Sequence, residues 1–243
     1  MTIEVCAYSL ESCINAQAGG AGRIELCGGL GEGGTTPSAG LIELVREYVQ
    51  IPLYVMIRPR GGDFVYDFFE EEIMRKDIRL AKKLGADGVV LGVLHPDGTV
   101  NVERTKEFVE LAHPMKVTFH RAFDLTPDPL KALAAVIETG AERILTSGQK
   151  AAAPEALELL SQLSQKANGA IEIMAGAGVK PTNAAILKEA GVHALHFTAK
   201  AFRPGRQKFF PTGISMAGEI PDERSVMYSD LALVEAMVQT VAE

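Results

Sequence analysis

Residues 55–64, VMIRPRGGDF, begin as an apolar run and end in two guanidinium groups, two glycines and a carboxylate. Arginine presents a planar fork that matches a carboxylate or a phosphate, and glycine lets backbone approach a ligand closely. Arg58 and Arg60 are therefore candidate anion-binding residues. Three further segments end in the same way. FHRAFD (119–124) supplies His120, Arg121 and Asp124, TSGQ (146–149) supplies Ser147, and AGAGVKP (175–181) holds Gly176 and Gly178 in a turn leading to a helix. A turn of that kind offers free N–H donors to an anion. The predicted anion site comprises Arg58, Arg60, Arg121, Ser147, Gly176 and Gly178, with a small phosphorylated or carboxylated molecule as ligand. If the chain is an enzyme, Glu25, His120, Arg58 and Asp124 are the candidate catalytic groups, with His120 titrating near neutral pH. No central strand lysine argues for Schiff-base chemistry; Lys116 is the nearest, and a poor, candidate.

Side chains so scattered along the chain need a scaffold that gathers them. GGAGRIELC (19–27), GADGVVLGV (85–93), GAERILTSG (140–148) and GVHALHFTA (191–199) repeat one pattern, a glycine after a helical stretch followed by a short apolar strand. Glycine there suits the left-handed residue that closes a helix. Between them lie IPLYVMIRP (51–59), HPMKVTFHR (113–121) and GAIEIMAGA (169–177), and IEVCAY opens the chain, which makes eight strands. Segments 76–85, 128–140, 154–169 and 181–191 carry the 3.6-residue apolar period of helices. Alternating β and α units over this length predict a single-domain (β/α)8 TIM barrel spanning 1–243, with a long loop (201–228) before the C-terminal helix. A doubly wound open sheet is the competing architecture, but the first turn lacks a G-x-G-x-x-G fingerprint.

Side chains alternate along a strand, so the apolar parity must face the helices: Ile3 and Val5, Ile24 and Leu26, Val55 and Ile57, Val117 and Phe119, Ile171 and Ile173. The opposite parity faces the barrel axis. It carries Glu4 and Cys6, Glu25 and Cys27, Met56 and Arg58, Thr118 and His120, Leu145 and Ser147, Glu172 and Met174, His196 and Thr198. Barrel interiors are normally branched and apolar, and buried charges need partners. Arg58 is expected to pair with Glu25 when no ligand is present. That pair could serve only to fill the pore, or it could compete with a bound anion.

The chain has 243 residues, 47% hydrophobic and 23% charged, with a net charge of −7. An acidic balance gives no general attraction to nucleic acid or to an anionic membrane surface. No apolar run is long enough to cross a bilayer, and the N-terminus shows no signal-peptide pattern. Three cysteines at irregular spacing make no disulfide framework. A cytoplasmic protein is expected.

RIELCGGLGEGGTTPS, MIRPRGGDF, VTFHRAFD, RILTSGQ and IMAGAGV, in this order and spacing, resemble the characteristic blocks of the CutC family, named for copper homeostasis. The resemblance covers the chain to about residue 200. It implies a TIM barrel, a cytoplasmic homo-oligomer and Cu(I) held by cysteines that match Cys6 and Cys27. Soft thiolates suit Cu(I), and the two cysteines end adjacent strands on one face. Free cysteine also packs as a small hydrophobe, and Cys13 falls on a helix. Copper handling and chemistry on a small anion are thus both open from the residues themselves.

Overall fold

The computed structural model describes residues 1–214 and 223–242. Eight parallel strands close into a barrel in sequence order: β1 (Thr2–Ala7), β2 (Arg23–Leu26), β3 (Leu53–Met56), β4 (Gly88–Leu91), β5 (Lys116–Phe119), β6 (Arg143–Thr146), β7 (Glu172–Ala175) and β8 (Ala194–Phe197). The helices that wrap it are α1 (Leu10–Ala18), α2 (Ala39–Tyr48), α3 (Phe68–Lys83), α4 (Val102–Ala112), α5 (Pro129–Glu138), α6 (Leu157–Ala167), α7 (Ala184–Glu189) and α8 (Leu231–Ala242). None is long and apolar enough to cross a membrane.

Local chemistry sets these elements. Gly20, Gly85, Gly140 and Gly191, the four repeat glycines, all have φ between 80° and 86°, a conformation other residues reach only at a cost. Asp128 accepts from the amides of Leu130 and Lys131 at the start of α5, with Pro129 in the first turn. Helix α3 starts earlier than the periodicity of 76–85 predicts. Asp67 and Glu70 form a capping box there, but Phe68 and Phe69 point outward, 68% and 73% exposed, and break the apolar stripe. Helices α6 and α7 are shorter than 154–169 and 181–191, because Ala153–Glu155 and Pro181–Asn183 are 3-10 turns.

The expected loop 201–228 begins and ends in regular structure. Strands β9 (Lys200–Pro204) and β10 (Ser225–Ser229) pair antiparallel, and Arg203 forms an ion pair with Glu11 across to α1. Residues 215–222 of that stretch lie outside the described residues.

Apolar and polar side chains alternate around the whole barrel. Ile3, Val5, Ile24, Leu26, Val55, Ile57, Val117, Phe119, Ile171 and Ile173 all belong to the large core between strands and helices. Inside the barrel lie two small apolar groups, one of Cys6, Cys27, Tyr54, Met56 and Val90 and one of Leu145, Met174 and Ala194. The remaining interior is polar.

Candidate functional site

The lower layer of the interior is an ionic network. Register sets Glu4 of β1 level with both Arg23 of β2 and His196 of β8. One carboxylate oxygen of Glu4 lies 2.7 Å from His196 Nδ1 and the other pairs with Arg23 Nε. Burial pushes the Glu4 carboxyl up, but the His196 hydrogen bond and the Arg23 charge outweigh it and hold it at about 2. Arg143 pairs with Glu172 at 2.5 Å, and the Arg23 and Arg143 guanidinium groups both lie over the Tyr54 ring, 5.1 and 5.5 Å from its centroid. Arg23 and Arg143 were not among the residues singled out from the sequence. They share the parity of Glu25 and Leu145, two positions upstream on the same face, and that alternation was the signal that could have found them.

Above this layer sit the two cysteines. Cys6 Sγ lies 3.8 Å from Cys27 Sγ, both residues are buried, and both belong to the inner face. Cys27 Sγ is 3.4 Å from Glu25 Oε2, which is 3.7 Å from His196 Nε2. Donor atoms of Cys6, Glu25 and His196 all fall within 4.8 Å of one another. The hydrogen bond from Cys27 draws the Cys6 thiol well below its ordinary range, against burial and with help from His196. The same contact and burial push Cys27 well up. Burial and the neighbouring negative charges raise the Glu25 carboxyl well above the carboxylate range, despite His196. Burial disfavours charged His196, yet Glu25, Cys6 and Glu4 together raise its imidazole well above 6.5. Glu25 Oε1 has no hydrogen-bond partner. The third cysteine, Cys13, is buried on α1, and burial raises its thiol to about 12.

At the C-terminal mouth the expected Arg58–Glu25 pair does not form. Arg58 is buried, but its guanidinium turns to loop carbonyls: NH1 donates to Glu32 O at 2.7 Å and Gly34 O at 3.0 Å, and NH2 to Gly62 O at 2.7 Å. Glu25 faces His196 and Cys27 instead. His120 is also unlike its expectation. Its Nδ1 accepts from the Ala122 amide, and burial together with the Arg58 charge lowers its imidazole to about 3. It is therefore neutral at physiological pH.

The other predicted residues fall into two groups. Arg121 and Gly178 line, with Arg58, His120, Cys6, Glu25 and His196, a cavity of about 760 Å³ above the cysteines. Arg60, Asp124, Ser147 and Gly176 do not line it. Arg60 bonds Glu70 at 2.5 Å and Asp63 at 3.0 Å, so its charge is already matched. Asp124 braces the mouth, accepting from Thr146 Oγ1, from the amides of Ser147 and Gln149 and from Arg121. Ser147 Oγ is held by Asp124 and Lys150 O. Gly176 sits where a Cβ would come within 2.5 Å of Leu145, which makes it a packing position.

Comparisons with known proteins agree with one another. The profile of the CutC family matches residues 1–201. A mouse (Mus musculus) copper homeostasis protein cutC homolog is 46% identical over 237 residues, covering 97% of this chain and 87% of its own. A CutC family protein of Chromobacterium violaceum is 46% identical over 236 residues, covering 97% and 96%. The crystal structure of a copper homeostasis protein CutC from Streptococcus agalactiae superposes with a TM-score of 0.77 at 36% identity, covering 82% of this chain and 98% of that one. Barrel enzymes such as the phosphoribosyl anthranilate isomerase of Thermus thermophilus superpose at a TM-score of 0.57 and 12% identity, a likeness of fold alone.

Proposed function

The chain belongs to the CutC family, and from that premise we propose that it serves copper homeostasis by holding Cu(I) between the Cys6 and Cys27 thiolates inside the barrel. The observation that carries this reading is the pair of sulfur atoms 3.8 Å apart on the inner face, with the imidazole of His196 beside Cys6. Two thiolates and an imidazole form a soft donor set, which favours Cu(I) over the hard cations that carboxylates bind. The ion is cargo in this reading.

The protein residues each have a part in it. Glu4 holds His196 through Nδ1, which fixes the ring with Nε2 toward Glu25 and beside Cys6. Such an outer hydrogen bond orients a ligand and raises its basicity. Cys6 is already drawn toward thiolate. Cys27 must lose its proton for metal to bind, and its thiol lies 3.4 Å from Glu25 Oε2.

A cytoplasmic setting and a homo-oligomer complete the proposal. Three unpaired thiols suit a reducing compartment. Exposed Phe68, Phe69 and Ile73 on α3 form an apolar patch of the kind that associating proteins cover, and light scattering on the purified protein tests the association.

Anaerobic titration of Cu(I) against a competing chelator tests the site. The wild type should bind one equivalent, and Cys6→Ser or Cys27→Ser should weaken it by more than about a hundredfold, beyond what loss of an outer-shell partner costs. Equal affinity in wild type and the double variant would remove the proposal.

A further inference from the structure

The strongest unexplained feature outside the sulfur cluster is a buried positive charge with no counter-charge. Arg58 is only 6% exposed, and no carboxylate among the described residues lies within ion-pair distance of it. Its three hydrogen bonds go to main-chain carbonyls, and its Nε makes none, with the Tyr66 hydroxyl as the polar side chain nearby. A buried, unpaired charge is costly, and a carbonyl dipole offsets it less than an anion does.

His120 adds a second open donor to the same wall. Because Nδ1 accepts the Ala122 amide, the ring proton resides on Nε2, and Nε2 is buried without a partner. A single ring joins the two residues: the Arg58 guanidinium lies 4.8 Å from the centroid of Phe64, and the His120 ring lies 4.8 Å from it as well. All three residues line the 760 Å³ cavity. Two orphaned donors, one of them cationic, call for an acceptor that carries negative charge.

We propose that this cavity binds a small organic oxyanion, with Arg58 and His120 Nε2 as its donors. The rest of the cavity indicates an organic body. Met56, Leu145 and Phe197 supply apolar wall, and the volume is that of a metabolite-sized pocket. Lys180 and Lys200 also line the cavity and form no ion pair among the described residues, which adds positive charge to its wall. The proposal goes beyond copper binding and does not rest on it, since none of these groups is a metal donor in that reading. Carboxylates and phosphate monoesters share the required chemistry.

The test uses reduced, copper-free protein, so that a failure here leaves the copper reading untouched. Isothermal titration with glycerol 3-phosphate, succinate and inorganic phosphate, at millimolar concentration, is run on wild type, His120→Phe and Arg58→Gln. His120→Phe keeps a ring against Phe64 and deletes the Nε2 donor, together with the Nδ1 acceptor of the Ala122 amide; it is the decisive variant should Arg58→Gln fail to fold. Saturable binding of one organic anion, tighter than inorganic phosphate and weakened about tenfold or more by His120→Phe, is the expected result, since a hydrogen bond to an ion contributes about that much. Whether glycerol 3-phosphate or succinate saturates identifies the phosphate or the carboxylate source. No saturable binding of either, or equal binding by wild type and His120→Phe, overturns the proposal and leaves Arg58 as a clasp for three loop carbonyls.

Discussion

His120 and His196 share one barrel and respond to protons in opposite directions, because their neighbours carry opposite charge. His196 stands between Glu4 and Glu25 and is raised; its contribution to stability is present below about 6.5 and is lost as pH rises through its folded pKa. His120 is buried beside Arg58 and lowered to about 3. Between about pH 6.5 and that value the unfolded chain holds the His120 proton and the folded chain does not, so stability falls as pH falls, with a slope of up to ~1.4 kcal/mol per pH unit. Urea denaturation should therefore show a shallower acid-side loss for His120→Phe than for wild type between about pH 6 and 4. Parallel curves would mean that folded His120 takes up its proton as readily as the unfolded chain does. Glu4 gives a second test at this scale. Glu4→Gln keeps the shape but removes the charge that fixes His196, and should weaken Cu(I) binding by about 10–100-fold with both cysteines intact; unchanged affinity would show that His196 takes no part.

At the scale of elements, alternation and repeat were legible and cross-strand partnership was not. The four glycine-led blocks marked β2, β4, β6 and β8, and the apolar parity put Cys6 and Cys27 on one inner face. Parity states which face a side chain takes, but the stagger of neighbouring strands decides which residues stand level. The levels of Glu4 with Arg23 and of Arg143 with Glu172 follow from that stagger, so the ionic layer stayed hidden. The loops hid the rest. Arg58 is satisfied by carbonyls of residues 32, 34 and 62, which no side-chain pattern announces. The strand packing makes a prediction of its own. A Cβ on Gly88 of β4 would fall 2.6 Å from the Tyr54 ring, which Arg23 and Arg143 confine. Gly88→Ala should cost about 1–3 kcal/mol in thermal or urea unfolding, as overpacking does. Gly40→Ala on α2, with nothing within 4 Å of the added atom, should be neutral or stabilise by up to about 1 kcal/mol.

Over the whole molecule, the barrel arranges polar chemistry in three tiers along its axis. Ion pairs at the base neutralise one another, a sulfur–imidazole–carboxylate cluster occupies the middle, and Arg58 and His120 line the cavity at the mouth. The paired thiols lie in the middle tier, and the family to which the chain belongs is named for copper. X-ray absorption at the copper edge, on protein loaded with one equivalent of Cu(I) under reducing conditions, reads the donor set directly. The expected first shell is dominated by two sulfur scatterers in the wild type and reduced to one in Cys27→Ser. A shell of nitrogen and oxygen only, or one that Cys6→Ser and Cys27→Ser leave unchanged, would contradict it.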